Sequence, residues 1–85
     1  MVAIFTVERV EDPPERGGVL ATGRLAGGSI GDGVTLRQES TGRTVRVLVM
    51  DFGTPADLSR KLYTVVLDRR EATWVEPGME LTVED

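Results

Sequence analysis

The chain contains neither cysteine nor histidine. Without cysteine there can be no disulfide framework and no thiolate metal site, and without histidine the Ser-His-Asp and Cys-His arrangements lack their base. The usual zinc ligand sets are excluded for the same reason. The common forms of nucleophilic and zinc-dependent catalysis are therefore closed to this sequence.

Long apolar runs are also missing. No stretch approaches the roughly 20 apolar residues that a membrane-spanning helix needs, and the N-terminus lacks the charged and apolar regions of a secretory leader. We therefore expect no membrane contact and a cytoplasmic location. A length of 85 residues predicts one domain, spanning residues 1–85, built on a single compact core.

Basic residues are outnumbered by acidic ones. Ten Lys and Arg stand against 14 Asp and Glu, which gives a formal net charge of -4. Phosphate binding usually draws on clustered Lys and Arg, so charge alone disfavours strong nucleic-acid binding. Adjacent basic residues occur only at Arg60-Lys61 and Arg69-Arg70.

Short runs rich in β-branched and aliphatic residues dominate the chain, and Gly, Pro, Ser or Asp separate them. Pro13-Pro14 ends the first run, Glu39-Ser40-Thr41-Gly42 suits a hairpin turn, and Glu76-Pro77-Gly78 forms a further turn. The pattern predicts six strands: Val2–Val10, Val19–Leu25, Val34–Gln38, Thr44–Met50, Leu62–Leu67 and Met79–Val83.

Two of these segments carry more specific expectations. The stretch from Arg16 to Leu36 predicts a β-hairpin, because its glycine-rich centre can turn the chain between two strands. In the fourth strand, Val45, Val47 and Val49 share one face, and we expect much of both faces to be covered.

A single helical turn over 54–58 is predicted, with Thr54 as its cap.

Six strands with turn-length connections predict an all-β fold, a small six-stranded antiparallel closed barrel. A two-layer sandwich is the alternative. Pairing of the first and last strands, within the chain or between copies, stays open at this point.

Two patterns that could suggest enzymatic chemistry fit structural roles better. Gly18–Leu25 has the glycine spacing of a phosphate-binding loop, but Arg24 and Leu25 replace its Lys and hydroxyl, and the segment is predicted as a strand. Three aspartates, Asp51, Asp57 and Asp68, lie at strand ends or in loops, where Asp commonly stabilises turns. We therefore predict no enzymatic activity, no cofactor and no metal site.

Several motifs, taken in order, resemble the second domain of translational GTPases, the β-barrel found in elongation factor Tu, elongation factor G and initiation factor 2. Arg16–Leu25 is similar to that domain's Gly-x-Val-x-x-Gly-Arg/Lys followed by an aliphatic residue. Gly28-Ser29-Ile30 and Gly31–Leu36 are similar to its Gly-x-Ile and Gly-Asp-x-Val-x-Leu. Val75–Leu81 resembles its closing Val-x-x-Gly-x-x-Leu. The resemblance covers nearly the whole chain.

This resemblance implies a translation-factor domain 2-like barrel that contacts tRNA, rRNA or the ribosome. The motifs of the family's nucleotide-binding domain are absent from these 85 residues, so we expect no GTP binding by this chain alone. The candidate phosphate contacts are Arg16, Arg24, Arg69 and Arg70.

A protein-interaction module unrelated to translation is the second hypothesis. The acidic balance favours it, as do Lys61, Leu62 and Tyr63, which stand where the family has small residues. Trp74 is the best single candidate for a contact anchor, since buried aromatic residues dominate many interfaces.

Overall fold

The computed structural model describes residues 3–15, 17–28, 30–51, 56 and 59–84. Six antiparallel strands form one closed barrel in the order β1-β2-β5-β4-β3-β6, and β6 pairs with β1 to complete it. The predicted all-β barrel is confirmed, and the sandwich is excluded. The strands are β1 Ile4–Glu11, β2 Val19–Ala26, β3 Thr35–Gln38, β4 Arg43–Asp51, β5 Leu62–Leu67 and β6 Glu80–Glu84.

The interior is filled by apolar side chains from every strand. Phe5, Leu36, Leu67 and Leu81 are fully buried there. Alternate residues point outward, as the period of two requires. The barrel is thus a packed core rather than a container, and any partner must be met on its outside.

The predicted hairpin from Arg16 to Leu36 is wrong. β2 pairs with β1 and β5, whereas β3 pairs with β4 and β6. The glycine-rich segment crosses an end of the barrel between strands on opposite sides. Its Ile30 is only 7% exposed and belongs to the core. Glycine permits the turns in this segment, and the burial of Ile30 holds the segment across the end of the barrel.

The prediction that Val49 shares a face with Val45 and Val47 on the fourth strand is wrong. Val45 and Val47 are fully buried, but Val49 is 43% exposed. The register between β4 and β5 shifts between Val47 and Val49, so Leu48 is an extra residue. Such a bulge reverses the alternation that follows, and Met50 packs against the core instead.

The helical turn predicted over 54–58 lies outside the described residues, apart from Ala56, which is helical. A three-residue 3-10 helix, Ala72–Trp74, links β5 to the turn before β6.

A buried hydroxyl pair joins the outward sides of β2 and β5. Thr22 and Thr64 are paired in register, their Oγ1 atoms lie 2.8 Å apart, and the two residues are 2% and 5% exposed. Thr22→Val is expected to lower the free energy of unfolding by about 1–3 kcal/mol, because Thr64 loses its buried partner. The double variant Thr22→Val/Thr64→Val should recover the part of that loss that comes from the unpaired Thr64 hydroxyl, but not the part from the hydrogen bond that Thr22 Oγ1 accepts from Arg9 Nη2. Urea unfolding of the wild type, both single variants and the double variant measures the coupling, and additive losses would contradict it.

Candidate binding surfaces

Two of the predicted phosphate contacts are held by carboxylates of the same chain. Arg24 on β2 lies 2.7 Å from Glu8, and Arg69 lies 2.7 Å from Asp12. Arg69 also donates to the main-chain oxygens of Pro13 and Gly18, which fixes the connection between β1 and β2 to the end of β5. Arg69 therefore has a structural task, and Arg24 would have to exchange Glu8 for a phosphate.

The remaining described candidates, Arg70 and Trp74, lie on the same segment after β5 as Arg69, whereas Arg24 is paired with Leu62 at the other end of β5. Arg70 is exposed, and its main-chain N–H donates to Asp68 Oδ1 at 2.9 Å, which confirms the turn role of that aspartate. Trp74 is half-buried and packs against the barrel core. Arg16 lies outside the described residues, as do Asp57 and the side chain of Asp51. The described candidates do not form one continuous site.

Three arginines that the sequence analysis did not select lie together on the β3–β4 hairpin. Arg37 is opposite Thr44, and Arg46 is opposite Thr35, so the two arginines are diagonal neighbours on the outer face. Such neighbours are about 7–8 Å apart. Arg43 begins β4 directly after the turn and is exposed, but it has the inward parity of Val45 and therefore lies at the end of the barrel and not on the outer face. We call Arg37, Arg43 and Arg46 the arginine hairpin.

No carboxylate of the described residues forms an ion pair with a side chain of the arginine hairpin. The Nε atom of Arg37 is buried without a hydrogen-bond partner, and its Nη2 lies alongside the turn at Gly42. Its head group is therefore partly desolvated and close to the end of the hairpin. Guanidinium groups held in this way can each offer several N–H donors to a planar anion or a phosphate.

Comparison with protein-family models, curated proteins and solved structures finds no significant match. Function therefore has to be inferred from the chemistry of the described surface.

An apolar pair borders the arginine hairpin on β4. Leu48 and Val49 are 41% and 43% exposed, because the bulge turns both side chains outward. Val49 is opposite Val66 on β5, which in turn is opposite Leu20 on β2. The outer surface thus changes from cationic to aliphatic along a single strand.

Among residues 3–15, 17–28, 30–51, 56 and 59–84, no helix has the length and apolar character to cross a bilayer. Within the same ranges, no group of three or more Asp or Glu side chains is placed to hold a metal ion.

Proposed function

We propose that this chain is a non-enzymatic binding module, similar to the second domain of translational GTPases, that contacts RNA phosphates of tRNA or the ribosome. The arginine hairpin is the surface that carries the proposal. The guanidinium groups of its arginines form no ion pair in the described part of the chain, unlike those of Arg24 and Arg69. The Glu71 carboxylate lies nearby and accepts a hydrogen bond from the main-chain N–H of Arg46 at 2.9 Å. A phosphate would supply acceptors for the guanidinium groups.

The net charge of -4 limits how strong such binding is. Distant carboxylates are screened at physiological salt, where the Debye length is about 8 Å, whereas direct phosphate contacts are not. The local charge of the hairpin therefore matters more than the total at contact range. We expect binding that is measurable at low salt and falls steeply as salt rises.

The test compares charge-removing variants across a salt series. Fluorescence anisotropy with labelled tRNA and sedimentation with ribosomal subunits are measured between about 50 and 200 mM salt. Arg46→Gln should weaken binding and reduce the slope of log K against log salt by about 0.7–0.9 for each phosphate that is no longer neutralised. Arg60→Gln is the matched control, because it removes one exposed arginine elsewhere.

Absence of binding even at the lowest salt would contradict the RNA proposal. An equal loss of RNA affinity in Arg60→Gln would also contradict it, since any exposed cation would then contribute equally to binding.

A protein partner is the second candidate, and the exposed Leu48 and Val49 favour it. Arginine beside exposed aliphatic side chains is a composition found in protein interfaces. Nuclease treatment of a captured complex distinguishes a protein partner from an RNA partner. Retention after nuclease treatment, together with loss in Leu48→Ser, would identify a protein contact.

A further inference from the structure

A groove lies on the outer faces of β1 and β6 and adjoins the arginine hairpin, because Thr82 in the groove is opposite Arg37 of β3. Its floor is formed by two cross-strand pairs, Ile4 with Thr82 and Thr6 with Glu80. These side chains face outward because their neighbours Phe5 and Leu81 fill the core. Ile4 remains 39% exposed, so the floor has apolar surface that nothing in the described structure covers.

The groove has walls held in place by hydrogen bonds. On one side, the Oγ1 atom of Thr82 lies 2.9 Å from Glu39 Oε1 and ties the β3–β4 turn to β6. On the other side, Gly78 N–H donates to Val7 O at 2.7 Å, and Val7 N–H donates to Met79 O at 2.8 Å. The volume of the open groove is about 530 Å³. That volume lies within the range of small-ligand and side-chain pockets.

The lining combines aliphatic surface with negative charge. Ile4 and Met79 supply the apolar part, and Glu39 and Glu80 supply two carboxylates. No described Lys or Arg lines the groove, and Glu80 forms no ion pair with any described residue. Glu39 is held by Thr82, so its carboxylate is positioned at the wall before any partner arrives.

A lysine or arginine side chain matches this combination. Its aliphatic stem packs on apolar surface while its charged head meets a carboxylate. A phosphate or other anion would be repelled by the same two glutamates. Because β1 and β6 are paired with each other along the groove, a peptide cannot bind here by joining the sheet, and side-chain contacts have to supply recognition.

We propose that this groove binds an extended basic segment of a partner protein, with one lysine or arginine seated between Glu39 and Glu80. The groove borders the arginine hairpin at Arg37, and the proposal does not rest on RNA binding. Ile4 and Met79 contact the stem of the bound side chain.

The experiment is an NMR titration of the ¹⁵N-labelled full chain with a capped peptide of alternating lysine and alanine. The expected result is that amide shifts concentrate at Ile4, Thr6, Glu80 and Thr82. Glu80→Gln should weaken the peptide about twofold to fivefold, as expected for a partly exposed ion pair. Glu39→Gln keeps an oxygen that can accept the hydrogen bond from Thr82, and it should weaken peptide binding by a similar factor. Glu76→Gln, an exposed acid outside the groove, is the matched control and should leave affinity unchanged.

A second peptide distinguishes a seated side chain from general attraction of opposite charges. It carries ornithine, which has the same charge as lysine on a stem that is one methylene shorter, and it should bind at least about twofold more weakly because less apolar stem is buried. Equal affinity for the two peptides, shifts spread over all acidic surfaces, or an equal loss in Glu76→Gln would each overturn the proposal.

Discussion

Gly23→Ala is expected to remove a large fraction of the protein's stability. A Cβ atom at this position would lie 2.0 Å from the main-chain oxygen of Thr6 and 3.1 Å from the Cα of Val7. Both neighbours are backbone atoms, so no side-chain rotation relieves the clash, and β1 must move away from β2. We expect a loss of about 3 kcal/mol or more, the upper end for overpacking, against a total of about 4–13 kcal/mol for a domain of this size.

Urea denaturation followed by circular dichroism measures the effect. The matched control is Gly31→Ala, because a Cβ there would meet no atom within 4 Å. Gly31→Ala should leave the midpoint nearly unchanged. If Gly23→Ala unfolded at the same urea concentration as the wild type, the close approach of β1 and β2 would be refuted.

Phe5→Ala is expected to have a comparable effect through a different cause. Phe5 is fully buried, and on β1 it lies opposite Leu25 of β2 and Leu81 of β6. Removing the ring leaves a cavity at the point where these three strands meet. Such substitutions typically cost about 3–5 kcal/mol.

Thermal and urea unfolding of Phe5→Ala are compared with those of Leu48→Ala, whose side chain is 41% exposed. The control should change the free energy of unfolding by less than about 0.5 kcal/mol, because little buried surface is removed. A similar small loss for Phe5→Ala would contradict a tightly packed interior.

The strands themselves could be predicted because alternation is a local property. In β5, Val65 and Leu67 reach the core from alternate positions, and the pattern of Leu62–Leu67 predicts both bounds of the strand. The turn at Gly42 was also predictable. Its φ of 75° is one that glycine adopts at little cost.

The neighbours of each strand could not be predicted from the same pattern. β2 and β3 follow one another in sequence and were expected to pair, yet each pairs with other strands of the barrel. Burial of Ile30 favours the crossing, but the local composition of a glycine-rich segment does not indicate which of its residues will be buried. The bulge at Leu48 was missed for a similar reason, since an extra residue shows only when the partner strand is known.

The arginine hairpin could have been found from the sequence. The turn Glu39–Gly42 fixes Gln38 opposite Arg43, and counting back from that pair places Arg37 beside Thr44 and diagonal to Arg46. The prediction selected Arg69 and Arg70 instead, because they are consecutive in the sequence. In this barrel, the cationic surface arises from cross-strand register and not from consecutive basic residues.

The order of strands around the barrel also bears on how quickly the chain reaches its native state. Three of the six ladders, β1–β6, β2–β5 and β3–β6, join segments that are far apart in sequence. Their pairing requires large loops to close before any stabilising contact is made, and proteins of this kind fold in about milliseconds to seconds rather than microseconds. During that interval the unpaired hydrogen-bonding edges of individual strands are open to other molecules, so refolding yield should depend on protein concentration.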